Sequence, residues 1–82
     1  MQINIVSCQD DNEIKEMVGL LKEKYKDNPN CKYRDISETF ILPDKKWIIA
    51  PQYLIKILTA RKPHIKVYSA EVIKNALCRD KN

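Results

Sequence analysis

Residues 46–77 read KWIIAPQYLIKILTARKPHIKVYSAEVIKNAL. Two short apolar runs lie in this stretch, WIIA at 47–50 and IKVY at 65–68, and each leads directly into a segment whose apolar residues recur at helical spacing. That is the pattern of consecutive strand–helix units, and it implies two parallel strands. Residues 1–45 then have to complete the sheet.

Residues 2–6 alternate polar and apolar side chains and are rich in β-branched residues, so they are expected as a first, central strand ending at Ser7-Cys8. Asp10 and Glu13 have the spacing of a capping box, and their charge suits the positive end of a helix dipole. The helix that follows carries Ile14, Met17, Val18, Leu21 and Tyr25 as one continuous stripe, and Pro29 stops it. Residues 31–36 are expected as a polar edge strand. Residues 37–46 are expected as a loop that folds Phe40-Ile41-Leu42 under the sheet, with Pro43-Asp44 as its turn. Residues 47–50 form a third strand buried on both faces. Pro51 opens a second helix with Leu54, Ile57 and Leu58 inward, closed by Arg61-Lys62-Pro63. Residues 65–68 form a fourth strand, Ser69 caps a last helix with Val72, Ile73, Ala76 and Leu77 inward, and residues 78–82 are a tail.

The element order is β-α-β-β-α-β-α. Its economical solution is an α/β domain with a four-stranded parallel sheet, order 2-1-3-4, flanked by three helices. Ligands bind such sheets at the carboxyl ends of the strands where the order reverses, here between the first and third strands. Ser7-Cys8 and the start of the second helix meet there.

At 82 residues the chain is expected to be a single domain, or one repeat of a larger protein. Its 44% hydrophobic content argues against disorder. No run is apolar enough for a membrane span and no secretory signal opens the chain, so a soluble intracellular domain is expected, with no membrane partner. Cys8, Cys31 and Cys78 have no paired ligand spacing. Reduced thiols are expected, without metal or cofactor. Residues 1–45 hold seven Lys or Arg against nine Asp or Glu, and residues 46–82 hold eight against two. The basic half suits an anionic partner such as a phosphopeptide or nucleic acid, although scattered solvated lysines are the commoner cause of such an excess, and nothing else in the chain indicates DNA.

IIAPQ at 48–52, KILTA at 56–60 and IKVYSAEVI at 65–73 resemble the third strand, the second helix, and the fourth strand with the last helix of the BRCT domain of nuclear DNA-damage-response and cell-cycle proteins. The resemblance covers nearly the whole chain and implies the same parallel sheet. It also implies a phosphate-binding site made of the Ser7 hydroxyl, the Cys8 amide and Lys56, so that a hydroxyl, a backbone donor and a full charge converge on one dianion. The family's glycine after that serine is Cys8 here, and the tryptophan of its last helix is Val72. The implied role is a non-enzymatic interaction module that docks a phosphorylated protein segment, with a second BRCT repeat as a possible neighbour. A BRCT-like packing module without phosphate binding is the alternative within that family.

The chain also resembles the IIB phosphocarrier subunits of the bacterial sugar phosphotransferase system, lactose and cellobiose type, through the cysteine after its first strand and Ala50-Pro51-Gln52. That likeness implies Cys8 as phosphoryl acceptor, in a loop that carries Asp10, Asp11 and Glu13. The plainer reading of each residue is structural: Ser7 as a turn hydroxyl, Cys8 as a small buried hydrophobe, Lys56 as a solvated cation and His64 as an exposed turn residue.

Overall fold

The computed structural model describes residues 2–36, 38–60 and 65–79. The chain opens with strand β1 (Gln2–Cys8) and helix α1 (Asp11–Tyr25), then passes through three consecutive strands, β2 (Lys32–Arg34), β3 (Thr39–Ile41) and β4 (Lys45–Pro51). Helix α2 (Gln52–Thr59), strand β5 (Lys66–Ser69) and helix α3 (Ala70–Arg79) follow.

Among the described residues the strands form one sheet of five, in the order β2-β3-β4-β1-β5. β1 is central and pairs in parallel with β4, Ile5 opposite Ile48, and with β5, Ile5 opposite Val67. β3 pairs antiparallel with β4, Phe40 opposite Trp47, and with β2, Phe40 opposite Tyr33. The sheet is therefore mixed. The expected four-stranded, all-parallel sheet of order 2-1-3-4 is overturned, and the resemblances to the BRCT domain and to the IIB phosphocarriers fall with it.

The difference originates in residues 37–46, expected as a loop. Thr39–Ile41 is instead a strand between two tight reversals. One is the Pro43-Asp44 turn, closed by the Leu42 amide donating to the Lys45 carbonyl at 2.9 Å. The other puts Glu38 at φ 47, a left-handed conformation that costs a residue with a side chain about 1–2 kcal/mol and that Gly or Asn usually takes. With β3 on the outer edge of β4, that edge is closed to the next strand, and β5 joins beyond β1. α2 makes that crossover in the direction opposite to the β1-to-β4 connection, and a right-handed path places it on the face opposite α1.

One face of the sheet is well filled. Val6, Cys8, Phe40 and Ile49 point to it by strand alternation and pack with Met17, Val18 and Leu21 of α1 and Ile73 and Leu77 of α3. Phe40 is the largest of these side chains and lies 6.4 Å from the Tyr25 ring and 4.8 Å from the Tyr33 ring, centroid to centroid. α1 starts where the capping residues lie: Asp10 Oδ1 accepts the Glu13 amide at 2.8 Å, and Glu13 Oε1 accepts the Gln9 amide at 2.9 Å. Ser69 Oγ accepts the Val72 amide at 3.3 Å at the start of α3.

Several inward assignments change. Trp47 and Ile48 are half-buried rather than enclosed on both faces, and Val72 and Ala76 of α3 are exposed. α2 buries none of its residues. Cys78 belongs to α3 rather than to a tail. The expected stop at Arg61-Lys62-Pro63 and the turn at His64 lie outside the described residues. No helix among the described residues is long and apolar enough to cross a membrane.

Phe40→Ala is expected to cost about 3–5 kcal/mol, because a fully buried ring leaves a cavity between α1 and β3. Asp10→Ala is expected to cost about 1 kcal/mol through the lost cap. Urea unfolding of both variants checks the ordering.

Candidate functional site

The parallel strands β1, β4 and β5 run into α1, α2 and α3, so three helices begin at one edge of the sheet. The chain passes from β1 to β4 on one side and then to β5 on the other. The reversal of order thus lies between β1 and β5, not between β1 and β4 as the parallel arrangement requires. A polar cleft of about 250 Å³ opens there, lined by Ser7, Gln9, Gln52, Ser69, Glu71 and Lys74, with Glu13 beside them. Ser7 and Ser69 are register partners in the ladder.

Lys74 is the cation that lines this cleft, and it is already held. Its Nζ lies 3.0 Å from Glu16 Oε1 and 3.3 Å from Glu13 Oε2. Hydrogen bonding to Glu16 first, then to Glu13, pushes Lys74 above its ordinary range. The remaining charge in the cleft is carboxylate, so nothing in it selects for an anion.

Of the three residues expected to bind phosphate, Ser7 lines this cleft. The Cys8 side chain turns to the other side of β1, fully buried in the core, whereas the donor expected there is its backbone amide. Lys56 is exposed on α2 and is not part of the cleft lining. Ser7 lines the cleft and Lys56 lines neither the cleft nor the groove described below. Docking of a phosphorylated segment, the DNA-damage-response or cell-cycle role, the second BRCT repeat and the BRCT-like packing role all rested on the parallel sheet and are corrected with it. The phosphocarrier role is corrected too. It rested on the same parallel sheet. Burial pushes the Cys8 thiol up to about 11, with Glu13 adding to the rise.

The larger concavity lies on the α2 face. Leu54 and Leu58 form one wall of a groove of about 650 Å³, Ile41 and Ile48 its floor, and Ile36 its lip. Thr39 lies opposite Ile48 and Ile41 opposite Lys46, so these four side chains share the face that α2 leaves uncovered. The volume is within the range of about 300–1,000 Å³ that holds ligands. Ile36, Leu54 and Leu58 are exposed apolar residues that line the groove, Ile36 at 99% exposure, while the exposed Tyr53 and Ile57 stand on α2 outside its lining. Exposed apolar side chains gathered in one region mark an interaction site. Arg34, Lys46 and Glu38 supply its charge. The Tyr33 hydroxyl donates to Glu38 Oε2 at 2.6 Å.

Comparison of the chain with protein-family models, with curated proteins and with solved structures finds no match. Sequence reasoning missed the groove, although a signal was present. YLIKIL at 53–58 sets five apolar residues around one lysine, more than a single helix face can bury.

The Cys8 thiol leads to a measurable pH dependence. Its folded value of about 11 exceeds the ordinary 9.0, so the neutral thiol is favoured in the folded chain. That stabilisation is fully present below pH 9 and is lost as pH rises toward 11, with a slope of up to about 1.4 kcal/mol per pH unit. Urea unfolding from pH 8 to pH 11 is expected to show this loss in the natural chain, relative to Cys8→Ala.

Proposed function

We propose that this domain is a non-enzymatic docking module that takes an apolar helical segment of another protein in the groove between α2 and the β3–β4 hairpin. What carries the reading is that α2 is apolar and yet buries none of its residues. Each large apolar side chain left in water forgoes about 1.5–3 kcal/mol of burial. α2 also has no side-chain cap at its amino terminus, and a helix of 8 residues depends on packing for its stability. A cover on this face therefore stabilises the very element that forms the groove.

The shape of the uncovered space favours a helix. The filled face carries two helices side by side, α1 and α3. Among the described residues the other face carries α2 alone, and the sheet extends past it through β4 and β3. A second helix laid beside α2 on Ile41 and Ile48 would complete the layer, at the usual interaxial distance of about 8–10 Å. Its leucine-sized side chains at i, i+3, i+4 and i+7 would enter the groove, the ordinary mode of helix-in-groove recognition.

An amide NMR titration with a neutral amphipathic peptide, leucines on one face and Gln and Ser on the other, tests this. Shifts are expected at Ile36, Ile41, Ile48, Leu54 and Leu58. Ile36→Ser is expected to leave stability within about 0.5 kcal/mol of the natural chain while weakening the peptide severalfold, because Ile36 is exposed at the lip. Shifts confined to the opposite face, or none, would remove the groove from consideration.

A further inference from the structure

The charge that lines the groove is mainly cationic. Lys46 of β4 lines it, within an interval from Asp44 to Glu71 that holds no acidic residue in sequence. Lys45 and Lys66 of the same interval stand on the opposite face of the sheet, and Arg61 and Lys62 lie outside the described residues. β2 adds to the cationic lining. Arg34 lines the groove, and Lys32 stands opposite Ile41, hence on the same face of the sheet. The carboxylate in the lining is Glu38, and it already accepts the Tyr33 hydroxyl. Asp35, exposed at the neighbouring turn, is the other acid near the lip. Among the described residues no carboxylate pairs with Arg34 or Lys46.

We infer that the segment docked in the groove is an amphipathic helix carrying acidic residues on both sides of its apolar stripe. The inference rests on the docking reading above and names the partner's chemistry. Arg34 and Lys46 flank the apolar floor, so carboxylates beside a leucine stripe would reach them as the leucines seat. Charge of this kind sets orientation, speeds association and rejects wrong partners. It also decides against a second copy of the chain as occupant. A symmetric pair formed through this face would bring Arg34 and Lys46 toward their own copies, and like charges opposed across an interface disfavour the complex.

Isothermal titration of the intact domain with three peptides tests the inference. All three share one leucine stripe, and their flanks are Glu, Gln or Lys. At low salt the Glu-flanked peptide is expected to bind at least about tenfold more tightly than the Gln-flanked one, and the Lys-flanked one more weakly than either, with the spread shrinking as salt is raised. The double variant Arg34→Gln, Lys46→Gln is expected to erase the Glu-over-Gln preference and leave Gln-flanked binding in place. Equal affinity for all three peptides would overturn the acidic partner and leave the docking groove standing. Binding of none would overturn the docking reading itself. Sedimentation of the domain alone as a dimer that Ile36→Ser dissociates would assign the groove to a second copy and overturn the inference.

Discussion

β3 occupies the outer edge of β4 through a ladder of three residue pairs, and the positions of the later elements follow from that occupation. Had that edge stayed free, β5 could have paired with β4 and extended a parallel sheet outward. With the edge taken, β5 crosses to the far side of β1, and α2 spans the central strand on the face opposite α1. The β2–β3–β4 meander then extends the sheet past α2 with no helix of this chain, among the described residues, to cover it. The apolar groove is the direct consequence of one short antiparallel pairing.

The parts of the fold legible in the sequence are those fixed by local chemistry. β1 alternates, α1 has its stripe and its Asp10–Glu13 cap, and Ser69 marks the start of α3, so each could be placed from its own residues. β3 could not. It is three residues long, its turn residue with positive φ is Glu38, and no Gly or Asn advertises the reversal. Because that pairing sets the strand order, a loop at residues 37–46 would leave a parallel sheet of four where β3 makes a mixed sheet of five. The candidate site was legible in part for the same reason. Ser7 could be placed at a strand end. Ser69 and Lys74 could not be placed beside it, because they arrive only when β5 pairs with β1. The facing of α2 was equally hidden, since the side of an apolar helix that stays bare depends on which strands lie beneath it.

The two concavities differ in how far the chain satisfies itself. In the strand-end cleft Lys74 is matched by Glu13 and Glu16, and Glu13 also receives the Gln9 amide. Those groups spend their interactions on joining α1 to α3, and they read as structure. Around the groove the apolar side chains remain in water, and Arg34 and Lys46 have no carboxylate partner among the described residues. Unmet apolar area and unmet charge in one place set this surface apart from a merely exposed helix. The Cys8 side chain is buried in the core, and that burial favours the neutral thiol.

The docking role requires that the α2 face stand open in the isolated domain. Solvent paramagnetic relaxation of methyl-labelled protein, with a soluble gadolinium chelate as the agent, reads that openness directly. Strong relaxation is expected at the methyls of Ile36, Leu54, Ile57 and Leu58, against protection at Ile5, Val6 and Leu21. Protection of Leu54 and Leu58 equal to that of Leu21 would mean that the face is already covered, and would contradict the docking role assigned to it.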